Sequence, residues 1–257
     1  MNIGLAIVLA ISLFVVSPSW AARGFKESTS DRVQSPASAA WDVLTAGSWS
    51  FWVYRTANMA GVLLQFADAD DGNVDSGWTI DSRATNPNTV QLNLVYGTSN
   101  LRARSTNSLT LDSWVHVGIT WTGGALCAAV SIYFDGVVET NVCSNEGSGG
   151  RFGENMPLAI GNNNSGGSVS VAANMADFAI WDVELTAAEV SQLAGRALPT
   201  EVRGASLVYF NRLCGRQTPE PDAARASHGV VTGTAEVAHP PQVAKSCLRQ
   251  MPVRGVG

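Results

Sequence analysis

Between residues 48 and 210 the chain runs through a long series of short strand-type segments, separated at hairpin-like intervals by clusters of Gly, Asn, Asp and Pro. A series of this kind commits a chain to an antiparallel sandwich or barrel. The segments are residues 48–56, 61–67, 78–83, 89–96, 101–106, 114–121, 130–134, 137–142, 158–160, 175–181 and 206–210. In the first, Trp49, Phe51 and Val53 share one face while Trp52 and Tyr54 share the other, so the strand is expected at the centre of its sheet. Asp135-Gly136, set between Val130, Ile132, Phe134 and Val137, Val138, is a two-residue hairpin signal. One helix is expected: Thr186-Ala187-Ala188-Glu189 has capping-box spacing, Val190, Leu193 and Ala197 follow at helical period, and Gly195 and Pro199 close it. Residues 23–39 form a polar, Ser-rich lead-in with room for one edge strand. From Gly215 onward Pro, Gly and small residues predict an irregular or thinly paired tail. No repeat and no linker interrupts the strands, so residues 23–257 are read as a single domain.

Composition narrows the setting. With 46% hydrophobic and 14% charged residues the chain is apolar, and its 25 glycines fit a turn-rich all-β fold. A net charge of −5 supplies no basic surface for phosphates, which argues against nucleic acid, and no polybasic stretch addresses anionic lipid. Residues 1–22 read as an export signal, with an apolar run over 3–16 and a small-residue exit in which Ser19 and Ala21 suit a peptidase site; the region lacks Lys and Arg. That run is shorter than the roughly 20 residues needed to span a bilayer, so no membrane insertion is expected after signal removal. Four cysteines agree with an oxidising compartment, secreted or periplasmic. Because Cys127 and Cys143 flank Asp135-Gly136 almost symmetrically, they are expected to pair across the hairpin, which leaves Cys214 and Cys247 to tie down the tail.

Four stretches in order carry a resemblance to a known family. They are Ser48-Trp49-Ser50-Phe51-Trp52-Val53-Tyr54, the Trp114-Val115-His116-Val117 strand, Ile132-Tyr133-Phe134-Asp135-Gly136, and the run from Asn174 to Trp181 followed by Leu185-Thr186-Ala187-Ala188-Glu189-Val190. Together they resemble the concanavalin A-like lectin/glucanase superfamily in its laminin G-like branch. The resemblance implies a two-sheet antiparallel jelly roll. Residues 206–210 look like the strand that commonly opens such domains, here placed late and expected beside the first. The superfamily includes lectins, adhesive modules, hydrolases and lyases, so fold leaves function open.

Retaining glycosidases need two carboxylates about 5 Å apart, which on a strand means alternate positions. No such Glu/Asp run occurs; Glu139, Glu146, Glu154, Glu184, Glu189 and Glu201 sit in turns, at a strand edge or near the helix. A lyase could draw on His116, Arg83, Asn93, Arg102, Arg104 and Tyr133, although His116 between Val115 and Val117 reads better as a hydrogen-bonded structural histidine. The acidic loop with Asp68, Asp70, Asp71 and Asp75 offers oxygen ligands for calcium, or is an ordinary solvated turn. The loop over residues 162–168, rich in Asn, Gly and Ser, reads as a flexible turn, or could meet sugar hydroxyls. Strand parity places Asp81, Arg83, Gln91, Asn93, Arg102 and Arg104 together on a solvent-facing polar surface, with Trp52 and Tyr54 near by, the best glycan platform in the sequence. The expected function is a secreted, non-catalytic carbohydrate-binding or adhesive module whose partner is a glycan or glycoprotein surface. The alternatives are a structural part of a surface or virion appendage, or a polysaccharide lyase or glycoside hydrolase.

Overall fold

The computed structural model describes residues 21–26, 30–42, 44–57, 59, 61–66, 77–82, 88–151, 156–164, 171–215, 218–225, 227–238 and 240. In chain order its strands are β1 (Ala21–Phe25), β2 (Arg32–Ser35), β3 (Gly47–Arg55), β4 (Gly61–Phe66), β5 (Trp78–Ser82), β6 (Gln91–Leu94), β7 (Leu101–Ser105) and β8 (Trp114–Trp121). They continue with β9 (Val130–Phe134), β10 (Val137–Val138), β11 (Asn141–Asn145), β12 (Leu158–Ile160), β13 (Ala173–Trp181), β14 (Leu207–Asn211), β15 (Val230–Thr232) and β16 (Ala235–Ala238). The first sheet has the order β10-β9-β8-β3-β13-β1-β16, with β14 also on β13; the second runs β11-β7-β6-β5-β4-β12-β2-β15. Every pairing between these strands is antiparallel, giving the two-sheet sandwich that the sequence predicts.

Alternation places the core. Trp49, Phe51 and Val53 of β3 and Val115, Val117 and Ile119 of β8 meet Trp78 and Ile80 of β5, Leu92 and Leu94 of β6, and Leu101 and Ala103 of β7 in one buried cluster. Trp49 and Trp78 cross between the sheets edge to face, with ring centroids 5.2 Å apart. In β13 the parity changes once. Asp177 adopts φ +50° and the register shifts between Ala176 and Ala179, so Ala173, Met175, Phe178 and Ile180 all reach the core.

The helix α1 (Ala187–Ala194) forms with its capping box intact: Thr186 Oγ1 accepts from the Glu189 N–H, and Glu189 accepts from the Thr186 N–H. It lies on the outer face of the first sheet, burying Val190 and Leu193 against Tyr133, Trp181 and Phe210. Gly118 of β8 makes room for it, because a Cβ there would stand 2.6 Å from Val190 Cγ1.

Asp135 and Gly136 both take positive φ, as a tight two-residue hairpin requires, and Phe134 pairs with Val137. Beyond Val138 the expected strand over 137–142 breaks. Asn141–Asn145 crosses to the second sheet and pairs with β7. The Cys127–Cys143 bridge is present, yet for a different reason from symmetry about the hairpin: it joins the 3-10 turn after β8 to β11 at the corner where the chain changes sheets. Cys214 is also disulfide-bonded, while Cys247 lies outside the described residues. The late strand β14 does not pair with β1; both lie end to end along β13. In the tail, β15 and β16 are short additions at the two sheet edges, as thin pairing predicts. Of the expected export segment, only Ala21 and Ala22 are described, and they open β1. No helix among the described residues is long and apolar enough to cross a membrane.

Candidate functional site

The outward face of the second sheet carries two transverse rows of mostly polar side chains, set by antiparallel register. One row runs Gln34, Ala159, Gln65, Thr79, Asn93, Arg102 and Asn145 across seven strands. Beside it run Asp81, Gln91, Arg104 and Val142. Asp81, Gln91, Asn93, Arg102 and Arg104 therefore share one face, as strand parity predicts.

Their exposure differs from expectation. Asp81 is 4%, Gln91 5% and Asn93 0% exposed, and β4, β5 and β6 are buried on both faces for most of their length. Periodicity fixes the face of a residue but not what shields that face. Here neighbours at strand spacing bond one another: Gln91 Nε2 and Thr79 Oγ1 each donate to Asp81 at 3.3 Å, and Arg102 Nε donates to Asn93 Oδ1 at 3.3 Å. Asn93 Nδ2 is left buried without a partner, a donor that costs about 1–3 kcal/mol while unmet. Only toward β7 and β11 does the face open, with Arg102 and Arg104 half-buried and Val142, Ser144 and Asn145 exposed. Neither arginine has a carboxylate partner among the described residues.

Trp52 and Tyr54 are not part of this face. They belong to β3, in the other sheet, because alternation within a strand cannot say which sheet the strand joins. Trp52 packs with Ala22 and Ala176, and Tyr54 meets Trp114 edge to face at 5.6 Å. Arg83, the loop bearing Asp68, Asp70, Asp71 and Asp75, and residues 165–168 of the Asn-rich loop lie outside the described residues. At the start of that loop, Asn164 N–H donates to Gln65 Oε1 and its carbonyl accepts from Gln34 Nε2, so it does adjoin the first polar row.

A second polar cluster lies between α1 and the first sheet, around His116, which the sequence reads as a structural histidine. Ser50 Oγ and His116 Nε2 are 2.8 Å apart, and both line a small cavity with Trp52, Asp177 and Leu193. Burial pushes the His116 pKa down to about 3, which keeps the ring neutral. Arg196, with φ +76°, stands over the Trp52 ring at 5.7 Å. The cavity holds little more than one water-sized molecule, about 10 Å³.

Residues 27–191 match the family model described as the concanavalin A-like lectin/glucanases superfamily. The chain belongs to that superfamily. Comparison with curated proteins gives no sequence match. Among solved structures the chain is similar to a candidate carbohydrate-binding protein from Bacteroides ovatus ATCC 8483, at 14% identity and TM-score 0.61, covering 88% of this chain and 62% of that one. It thus spans less than two thirds of that protein's length. It is similar too to a heptameric SAP-like pentraxin from Limulus polyphemus, at 15% identity and TM-score 0.55, covering 87% and 97% of the two chains. At these identities the likeness establishes the fold.

Within the superfamily's range of activities, the arrangement of acids and bases is informative. His116 and Tyr133 stand on the first sheet and Asn93, Arg102 and Arg104 on the second, so the residues a lyase would combine are separated by the whole core. Tyr133 is buried beneath α1. Four of the glutamates named from the sequence have structural work: Glu139 accepts from Asn107, Glu146 from the Cys127 N–H and Glu201 from the Leu198 N–H, and Glu189 caps α1.

Proposed function

We propose that the chain is a secreted, non-catalytic carbohydrate-binding module that takes its ligand at the β7–β11 end of the polar face. The observation that carries this reading is that Arg102 and Arg104 stand in adjacent transverse rows beside the β11 edge, two half-buried guanidiniums without carboxylate partners among the described residues. A guanidinium pairs bidentately with carboxylate or sulfate, so two arginines at strand spacing suit an acidic glycan. Asp81 is separated from Arg104 by Gln91, roughly two strand spacings or about 10 Å, too far to neutralise it. The similarity to the Bacteroides ovatus protein supports carbohydrate as the ligand class, and the Cys127–Cys143 bridge supports an oxidising destination outside the cytoplasm.

The test is a glycan array probed with residues 23–257, with calcium and with a chelator in parallel so that the Asp68–Asp75 loop is tested in the same experiment. Retention on uronate- or sulfate-bearing glycans is the expected result. Binding confined to neutral glycans would contradict the role given to the arginines, and no binding to any glycan would overturn the module reading.

A further inference from the structure

At the corner where the chain changes sheets, two sulfurs, a carboxylate and a carbonyl converge. One ligand atom from each of Cys127, Cys143 and Glu146 lies within 4.8 Å of the others. Glu146 is held in place: the Cys127 N–H donates to its Oε2 at 2.7 Å, which leaves Oε1 3.2 Å from Cys143 Sγ. The Asn145 carbonyl oxygen lies 3.2 Å from Cys127 Sγ and 3.6 Å from Cys143 Sγ. Two further bonds fix this loop, from Gly147 N–H to the Ala125 carbonyl at 2.7 Å and from Ser99 Oγ to the Glu146 carbonyl at 2.8 Å. Glu146 has no ion pair among the described residues. Its carboxylate is thus aimed at a neutral disulfide, with no cation beside it.

We propose that reductive opening of the Cys127–Cys143 bridge converts this corner into a site for a soft divalent cation, zinc or cadmium, held by Cys127, Cys143 and Glu146. Oxidised, the sulfurs are bonded to each other and offer no thiolate. A dithiol reductant gives two electrons and two protons to the bridge, closing to its own cyclic disulfide and leaving two thiols; the cation then binds both sulfurs and releases both thiol protons to solvent. Thiolates select zinc and cadmium over magnesium or calcium. Tetrahedral zinc with bonds near 2.3 Å sets its two sulfurs about 3.8 Å apart, which side-chain rotation can supply across a Cα separation of 5.6 Å. Asn145 carbonyl or water fills the fourth position. The Cys127 N–H bond to Glu146 orients the carboxylate as an outer partner orients a metal ligand. Cys143 and Glu146 are exposed, so the cation has a way in.

The experiment uses the full chain, reduced with a dithiol that is then removed without air, and titrated with cadmium while the ultraviolet thiolate-to-cadmium absorption is followed. Reduced protein is expected to take up one cadmium per chain with the absorption of two thiolates, and oxidised protein none. Cys143→Ser should weaken binding at least a hundredfold and Glu146→Gln about tenfold, whereas Cys214→Ser should leave it within twofold. Glu146→Gln retains both cysteines, so its oxidised form reports folding by circular dichroism. The proposal is overturned if the reduced chain takes up no cadmium, whether folded or unfolded. It is equally overturned if Cys214→Ser abolishes uptake while Cys143→Ser or Glu146→Gln leaves it unchanged.

Discussion

Glu220→Leu should destabilise the protein by about 3–5 kcal/mol, although Glu220 is remote from the proposed binding face. Its Oε1 accepts from Arg23 Nε at 2.6 Å and from the Gly215 N–H at 2.7 Å, and the two side chains of the ion pair are 0% and 5% exposed. Arg23 also donates to Thr234 Oγ1, so the pair ties β1 to the segment before β15 and to the turn between β15 and β16. Removing the carboxylate takes away the counter-charge that stands 2.6 Å from a buried guanidinium, and breaking a buried pair in this way costs about 3–5 kcal/mol. For a chain of this size that corresponds to roughly 6–20 °C in Tm. Replacing both partners behaves differently, because apolar residues of similar volume need no charge compensation and Glu220 Oε2 is already buried without a partner. Arg23→Met with Glu220→Leu should lie within about 1–2 kcal/mol of the parent, the remainder reflecting the orphaned Gly215 N–H. Guanidinium unfolding followed by circular dichroism measures all three proteins. A loss below about 1 kcal/mol for Glu220→Leu, or a double variant no more stable than the single one, would refute the reasoning and imply that β1 and the tail are not part of the cooperative fold.

Three further outcomes are expected. Replacing Cys127 and Cys143 together by serine removes a cross-link of sequence separation 16 and should cost about 3 kcal/mol on the chain-entropy account, read by the same denaturation; a loss under about 1 kcal/mol would argue against that account here. His116, neutral with its pKa pushed from 6.5 to about 3, is a residue that the unfolded chain protonates first as pH falls. Its contribution is therefore whole above about pH 6.5 and is lost toward pH 3 at about 1.4 kcal/mol per unit, so His116→Gln should flatten the stability profile between pH 6.5 and 5 by that slope, and an unchanged profile would count against it. Gly118→Val should lift α1 from the first sheet at a cost of about 1–3 kcal/mol, since a Cβ there already meets Val190; unaltered stability would show that the helix is not seated as described.

Local signals in the sequence carried the elements well. The alternating aromatics of residues 48–56 mark a strand paired on both sides, Asp135-Gly136 marks its hairpin, and Thr186 with Glu189 marks the start of α1. What stayed hidden is non-local. The valines of 137–142 read as one strand because nothing in their pattern marks the change of sheet after Val138. Parity put Gln91 and Asn93 on the outward face correctly, but their burial depends on neighbours that periodicity does not see. Trp52 and Tyr54 read as neighbours of that face yet stand on the other sheet, because sheet membership depends on long-range pairing. Asp177 shows the same limit from another side: a single left-handed residue reverses the facing of the rest of β13, and an aspartate in a run of apolar residues gives no sign of it.

The central claim rests on Arg102 and Arg104, and calorimetric titration of the parent and of the Arg102→Ala/Arg104→Ala variant with the best acidic glycan from the array tests it most directly. Arg104 is half-buried at the sheet margin without an ion pair among the described residues, and its loss should change stability by only about 0.5 kcal/mol, whereas Arg102 Nε donates to the buried Asn93 Oδ1, so the double substitution should cost about 1–3 kcal/mol. Binding should weaken at least tenfold, about 1.4 kcal/mol, at a temperature where circular dichroism shows both proteins fully folded. Equal affinity in the two proteins, with the fold intact, would place the ligand elsewhere and contradict the account.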